Sequence, residues 1–217
     1  MDMSMLSGLL AQYLCVVVII TFHEFGHAWM ASKCGDDTAR HEGRITLNPA
    51  AHIDPIGTVL LPLMAIWLTM GGQGKLAGLI IGWGRPVPVN PFNLRHRVRD
   101  DILVSMAGPA MNVALSIVAI IVWRIGWLAN SEAVVDSAFM MIWLSMYLFF
   151  FNMIPIPPLD GSHIMKHAVQ MPDETYWNIS RFGMFLVILL MQIDGVQMGL
   201  AKLTFGSYRV LRFIVGV

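Results

Sequence analysis

The segment from Met5 to Met30 constrains the chain more than any other. It is apolar and long enough to cross a bilayer, which takes about 20 residues, yet it carries His23, Glu24 and His27 near its end. Ionisable groups inside a span are expensive and mark function by default. On a helix, His23 and His27 stand at i and i+4 and point the same way. Two imidazoles so placed can hold one zinc ion, with Glu24 beside them to take a proton from a bound water. The competing reading is a pair of helix-terminal histidines bonded to carbonyls. Three ionisable groups clustered in one span weigh against it. Depth agrees. His23 follows Met5 by 18 residues, about 27 Å of helix, which brings it to the far edge of a hydrocarbon core about 30 Å thick.

Composition extends the membrane reading to the whole chain. Of 217 residues, 56% are hydrophobic and only 13% are charged, where soluble domains carry about 25%. Such a chain is neither disordered nor, with a formal net charge of +0, a nucleic acid binder by overall charge. Cys15 and Cys34 are too few for a disulfide framework or a Cys-rich zinc site. Met1 to Ser4 lacks the positive start of a secretory signal, so the first apolar segment is expected to stay.

Further apolar stretches run over Ile56–Met70, Leu76–Trp83, Ile102–Leu128, Val134–Ile154, Gly183–Met191 and Val196–Val217. Leu76–Trp83 is too short to span as a helix and reads as re-entrant. The alternation Arg44-Ile45-Thr46-Leu47 reads as a short strand. Pro86, Pro88 and Pro91 force residues 82–91 into an extended path. The expected fold is an all-α polytopic membrane protein. It has about five to six transmembrane or re-entrant helices, with short β-strand or extended segments near the site. It forms one domain over 1–217, with a core over 5–165 and C-terminal helices over 175–217. Arg95, Arg97 and Arg99 before the Ile102 segment favour a cytoplasmic start for it, and Lys33, Arg40 and Arg44 place the end of the first helix on the same side. By this reckoning Asp160 also lies near the cytoplasmic face.

A catalytic zinc needs a third protein ligand and an open position. Met30 and Lys33 occupy the positions where a metzincin extension needs Gly and His. Glu132 and Asp136 have the spacing of a gluzincin ligand pair but fall on the opposite side of the membrane. Asp160 is the better candidate: Pro155, Pro157 and Pro158 end the incoming helix, and Gly161 permits a tight backbone beside it. Without His23 and His27, Asp160-Gly161 would read as an ordinary turn.

His23 to His27, followed downstream by Asn152-x-x-Pro155-x-x-x-x-Asp160-Gly161, resembles the site-2 protease family of intramembrane zinc metalloproteases. Asn48 to Gly57, Gly82 to Pro91 and Gly108-Pro-Ala-Met-Asn112 are similar to its compact prokaryotic branch. The resemblance covers roughly residues 10 to 165. It implies one zinc ion per chain on His23, His27 and Asp160, Glu24 as general base, and cleavage of transmembrane substrates in or beside the bilayer. Asn112 matches a position that supports substrate or oxyanion; helix–helix hydrogen bonding is its alternative role. Asn152 is a candidate to orient the ligand loop. His52 and His163 are candidate partners or spare ligands, with a structural role favoured for both. His41, His96 and His167 read as loop or interface residues. The extended segments 44–47 and 85–89 offer an edge for an unwound substrate.

The implied setting is a prokaryotic plasma membrane, with the protein multi-pass and its site toward the cytoplasm. The implied partners are lipid and a transmembrane protein substrate, and not nucleic acid. A homo-oligomer or a regulatory membrane partner stays open. The rival reading is a zinc carrier or sensor without hydrolysis. A carrier calls for polar groups through the full membrane depth, whereas here they cluster near one face.

Overall fold

The structure is a computed structural model that describes residues 3–73 and 82–216. Every regular element among the described residues is helical. The first helix, α1, spans Met3–Lys33. At about 1.5 Å per residue its 31 residues reach about 46 Å, more than the hydrocarbon thickness requires. A short α2 (Thr38–His41) follows, then a single 3₁₀ turn at Pro49–Ala51. A π-helical turn over Pro55–Leu60 runs directly into α3 (Leu61–Met70). The second half contains α4 (Arg97–Leu128), α5 (Glu132–Asn152), α6 (Gly161–Ala168), α7 (Asp173–Leu190) and α8 (Asp194–Val215).

The helix α4 is central. Half of its most apolar window, 50%, is buried against protein, compared with 11% for α1 and 22% for α5. It packs on α5 and α1, and α8 packs on both α5 and α4. Ile120 and Trp123 of α4, Ile142 and Met146 of α5 and Tyr208 of α8 form the main apolar core. Polar groups tie α4 to α5 as well. Ser145 Oγ of α5 donates to the Asn112 carbonyl of α4 at 3.0 Å, and the same carbonyl accepts from Ser116 Oγ of its own helix at 3.0 Å. Hydrogen bonds and small residues are what hold helices together where lipid is as apolar as leucine.

Among the described residues, three helices are long and apolar enough to cross a membrane, or four if α7 and α8, bent by 84° at their junction, count as one broken span. The chain is a multi-pass membrane protein by this measure, and the described residues give three to four candidate spans against the five to six transmembrane or re-entrant helices expected. The shortfall has a physical reason. The helix over Pro55–Met70 is too short to span, and α7 turns sharply before α8 instead of running through. Most of the expected re-entrant segment Leu76–Trp83 lies outside the described residues.

The strand expected at 44–47 does not form, and no strand occurs among the described residues. The Arg44 N–H is spent on the Ala39 carbonyl (2.9 Å), closing the turn after α2. In the 82–91 segment, Pro86, Pro88 and Pro91 have no N–H to give to a ladder. That segment is extended instead, and Arg85 N–H bonds the His52 carbonyl at 2.9 Å.

The crossing of α1 and α4 depends on glycine. A Cβ on Gly26 would lie 2.7 Å from both the Ala107 carbonyl oxygen and Met111 Cγ. Gly8, on the same helix, has nothing within 4 Å of such an atom. Overpacking a tight contact typically costs about 1–3 kcal/mol. Gly26→Val is therefore expected to lower the thermal midpoint in detergent by several degrees, while Gly8→Val leaves it within about a degree. Equal midpoints for the two variants would show that this crossing is not close-packed.

Candidate metal centre

His23 and His27 lie on the buried side of α1, on adjacent turns, and are both less than a tenth exposed. Gly108 of α4 lies directly against them. A Cβ there would collide with both imidazole rings, so only glycine lets α4 approach. His27 Nδ1–H donates to the Val104 carbonyl of α4 at 2.7 Å. That bond fixes the tautomer and turns the Nε2 lone pair toward His23, whose Nε2 lies 3.0 Å away.

Asp160 arrives from the far end of α5. The helix stops at Asn152, and a proline-rich turn carries the chain to Asp160, which immediately precedes α6. Gly161 makes this turn feasible, because a Cβ there would run into the Met153 carbonyl. The Asp160 carboxylate reaches His23 Nε2 at 3.2 Å and His27 Nε2 at 3.4 Å. Burial would push its pKa up. The facing imidazoles of His27 and His23 more than reverse this, and hold the carboxyl well below the usual range.

Tetrahedral zinc with bonds of about 2.0–2.2 Å places its ligand atoms roughly 3.3 Å apart. Here the two imidazole Nε2 atoms are 3.0 Å apart, and each has an Asp160 carboxylate oxygen at a similar distance: Oδ2 is 3.2 Å from His23 and Oδ1 is 3.4 Å from His27. Among the described residues, His23, His27 and Asp160 are the group that brings three ligand atoms within 4.8 Å of one another. Asp160 Oδ2 is buried with no hydrogen-bond partner among the described residues, and two imidazole nitrogens with a carboxylate are a donor set that fits a small divalent cation. Glu24 is half-buried, one position along α1 from His23. The backbone of Gly84 passes over it: a Cβ at that glycine would lie 3.5 Å from Glu24 Oε1 and 2.6 Å from Ile20 Cγ2.

Other candidates fall in different places. Asn112 is fully buried one turn beyond Gly108, and neither Oδ1 nor Nδ2 has a hydrogen-bond partner among the described residues. Asn152 Nδ2 bonds the Leu148 carbonyl of its own helix at 3.0 Å. His52 donates from Nε2 to the Thr46 carbonyl at 2.8 Å and ties two loops together away from the three ligand atoms. Glu132 and Asp136 stand at the opposite end of α5 from Asp160. His41 closes α2, and His96 precedes α4. His167, read from sequence as a loop or interface residue, lies inside α6, where it and His163 both bond Asp101. Sequence reasoning passed over Gly84, Val104 and Asp101. The Val104 contribution is a backbone carbonyl and has no side-chain signal. Asp101 had one, as an acidic residue adjoining an apolar helix.

A helical membrane protein that gathers two histidines and a carboxylate of this spacing, beside a glutamate, has the parts of a metallohydrolase. The comparisons with known proteins agree with that class. Residues 11–127 and 124–191 match the model of Peptidase family M50. A Bacillus subtilis relative named "Putative zinc metalloprotease YwhC" is 38% identical over 170 residues, covering 74% of this chain and 70% of that protein. Two relatives named "Putative zinc metalloprotease Rip2" are more distant. The one from Mycolicibacterium smegmatis is 28% identical over 79% of this chain and 62% of its own length. The one from Mycobacterium tuberculosis is 29% identical over 67% and 52%. The chain thus spans between about half and 70% of these relatives. No solved structure matches it at a significant level. The chain belongs to peptidase family M50, the site-2 protease family of intramembrane zinc metallopeptidases.

The contact at Gly108 makes a specific prediction. Gly108→Ala drives a methyl group into both imidazoles and is expected to strip zinc from the purified protein, as measured by metal analysis. Retention of wild-type zinc would mean that the rings do not hold the metal in this orientation.

Proposed function

We propose that the chain is a zinc metalloendopeptidase that hydrolyses peptide bonds in or near the transmembrane segments of membrane proteins. One zinc ion per chain is held by His23 Nε2, His27 Nε2 and the Asp160 carboxylate. The observation that carries this reading is the convergence of those three ligand atoms with Glu24 adjacent, at the end of an apolar helix. The carrier or sensor alternative is not favoured. Membership of a peptidase family counts against it, and metal binding alone has no need of a general base.

Zinc, when bound, supplies a Lewis acid that brings the pKa of a water toward neutrality. Glu24 takes the proton from the attacking water and later returns one to the leaving amine. Val104 keeps His27 in the tautomer that offers Nε2. The Asn112 amide is a donor for the negative charge that grows on the substrate carbonyl oxygen. It is buried and has no hydrogen-bond partner among the described residues, which is costly unless a partner arrives. The extended chain at 85–89 offers backbone groups to a substrate that must unwind before its peptide bonds become accessible.

The same reading makes residues 1–217 one metalloprotease domain. Its core over 5–165 contains every proposed site residue, and the helices over 175–217 support it. The basic residues at 95–99 and after α1 favour a prokaryotic plasma membrane orientation with the site toward the cytoplasm.

Two substitutions test the assignment. Glu24→Gln is expected to reduce cleavage of a transmembrane substrate in proteoliposomes by at least about a hundredfold, with zinc content unchanged. Asp160→Ala is expected to lower bound zinc well below one ion per chain. Proteolysis retained by the first variant, or zinc retained by the second, would overturn the corresponding role.

A further inference from the structure

Asp101 is a buried carboxylate of α4, 6% exposed, with no part in the proposed reaction. Its Oδ2 accepts from His167 Nε2 at 2.6 Å, and its two oxygens lie 3.1 and 3.2 Å from His163 Nδ1. The two histidines stand at i and i+4 on α6, so both rings face α4. This is not a second metal site. The imidazoles direct their N–H groups at one carboxylate, and His23, His27 and Asp160 remain the group with three ligand atoms close together among the described residues.

What the pairing holds is α6, which has only eight residues and begins immediately after Asp160. A helix this short has little stability of its own and takes its position from tertiary contacts. His163 is also tied to the proposed ligand, because its backbone N–H donates to the Asp160 carbonyl at 3.1 Å. Three residues beyond Asp101 on α4 is Val104, the residue that orients His27. One stretch of α4 therefore aligns a ligand from α1 and the helix that carries the ligand turn.

Contacts from α7 hold α6 as well, but by weaker means. Lys166 pairs with Asp173 at 2.9 Å, yet Asp173 is 44% exposed, and such surface pairs contribute little. Ser162 Oγ meets Tyr176 Oη at 2.9 Å in a bond between neutral groups. The Asp101 bonds are made by a buried carboxylate, and bonds to an ionised group are roughly twice as strong.

We propose that Asp101 is a positioning residue for the metal centre: through His163 and His167 it holds α6 so that Asp160 meets His23 and His27. This rests on the reading of Asp160 as a zinc ligand.

The test is the zinc affinity of the full chain in detergent, measured by competition with a chelator of known affinity. Partners that orient metal ligands typically account for 10–100-fold in affinity. Asp101→Ala and His167→Ala are each expected to weaken zinc binding by about tenfold or more, whereas Tyr176→Phe and His167→Gln stay within about threefold. The glutamine keeps an N–H near the position of Nε2, so a rescue separates bonding to Asp101 from mere bulk. Wild-type affinity in Asp101→Ala would overturn the proposal, as would an equal loss in Tyr176→Phe or a failure of glutamine to rescue. If Asp101→Ala does not fold, the alanine and glutamine variants of His167 decide the matter by the same criteria. Asp160→Ala separates the two readings. If it loses zinc while Asp101→Ala keeps it, only the positioning role fails; if it keeps zinc, the ligand assignment fails and the proposal with it.

Discussion

Where α1 crosses α4, Gly26 and Gly108 remove the side chains that would hold the two backbones apart. The resulting approach lets the Val104 carbonyl accept from His27, and it presses both imidazoles against a helix without a side chain between them. Lipid gives no hydrophobic drive for helices to associate, so close contact and hydrogen bonds must supply the attraction. Ser145 of α5, which donates to the Asn112 carbonyl, contributes to the neighbouring contact between α4 and α5. The packing of the bundle and the geometry of its polar site thus have the same origin.

The polar groups follow from that arrangement. An ionisable residue in a span is tolerated when it faces protein and finds a partner. His23 and His27 face the Asp160 carboxylate, and Asp101 faces two imidazoles. Asp36, just beyond α1, is likewise buried. Its burial opposes ionisation, but donors from Thr38, Asn90 and Asn93 hold its carboxyl below the ordinary range. That carboxylate locks the loop after α1 to the chain entering α4.

Much of this was legible in the residues. His23 and His27 are four apart on a helix, and periodicity alone puts them together. Asp160 was reachable because prolines and a glycine punctuate the chain around it, although pairing it with a motif far upstream also needed the family resemblance. Other features were hidden for physical reasons. The alternation at 44–47 has the period of a strand, but the Arg44 N–H closes the turn after α2 on the Ala39 carbonyl, a local bond that the alternation does not reveal. Apolar length predicts spans, yet it cannot show that α7 and α8 bend by 84° at their junction. The bonds from Asp101 to His163 and His167 bridge 62 and 66 positions of sequence and could not be anticipated from local pattern.

The central claim is that two imidazoles and one carboxylate of this chain hold a single zinc ion. X-ray absorption at the zinc edge, measured on the purified full chain in detergent, examines that directly. The account predicts one zinc per chain with nitrogen and oxygen neighbours at about 2.0–2.2 Å and no sulfur. The Asp160→Ala variant should lose the ion or one light-atom neighbour. A sulfur shell at about 2.3 Å, or a spectrum unchanged by that substitution, would contradict it.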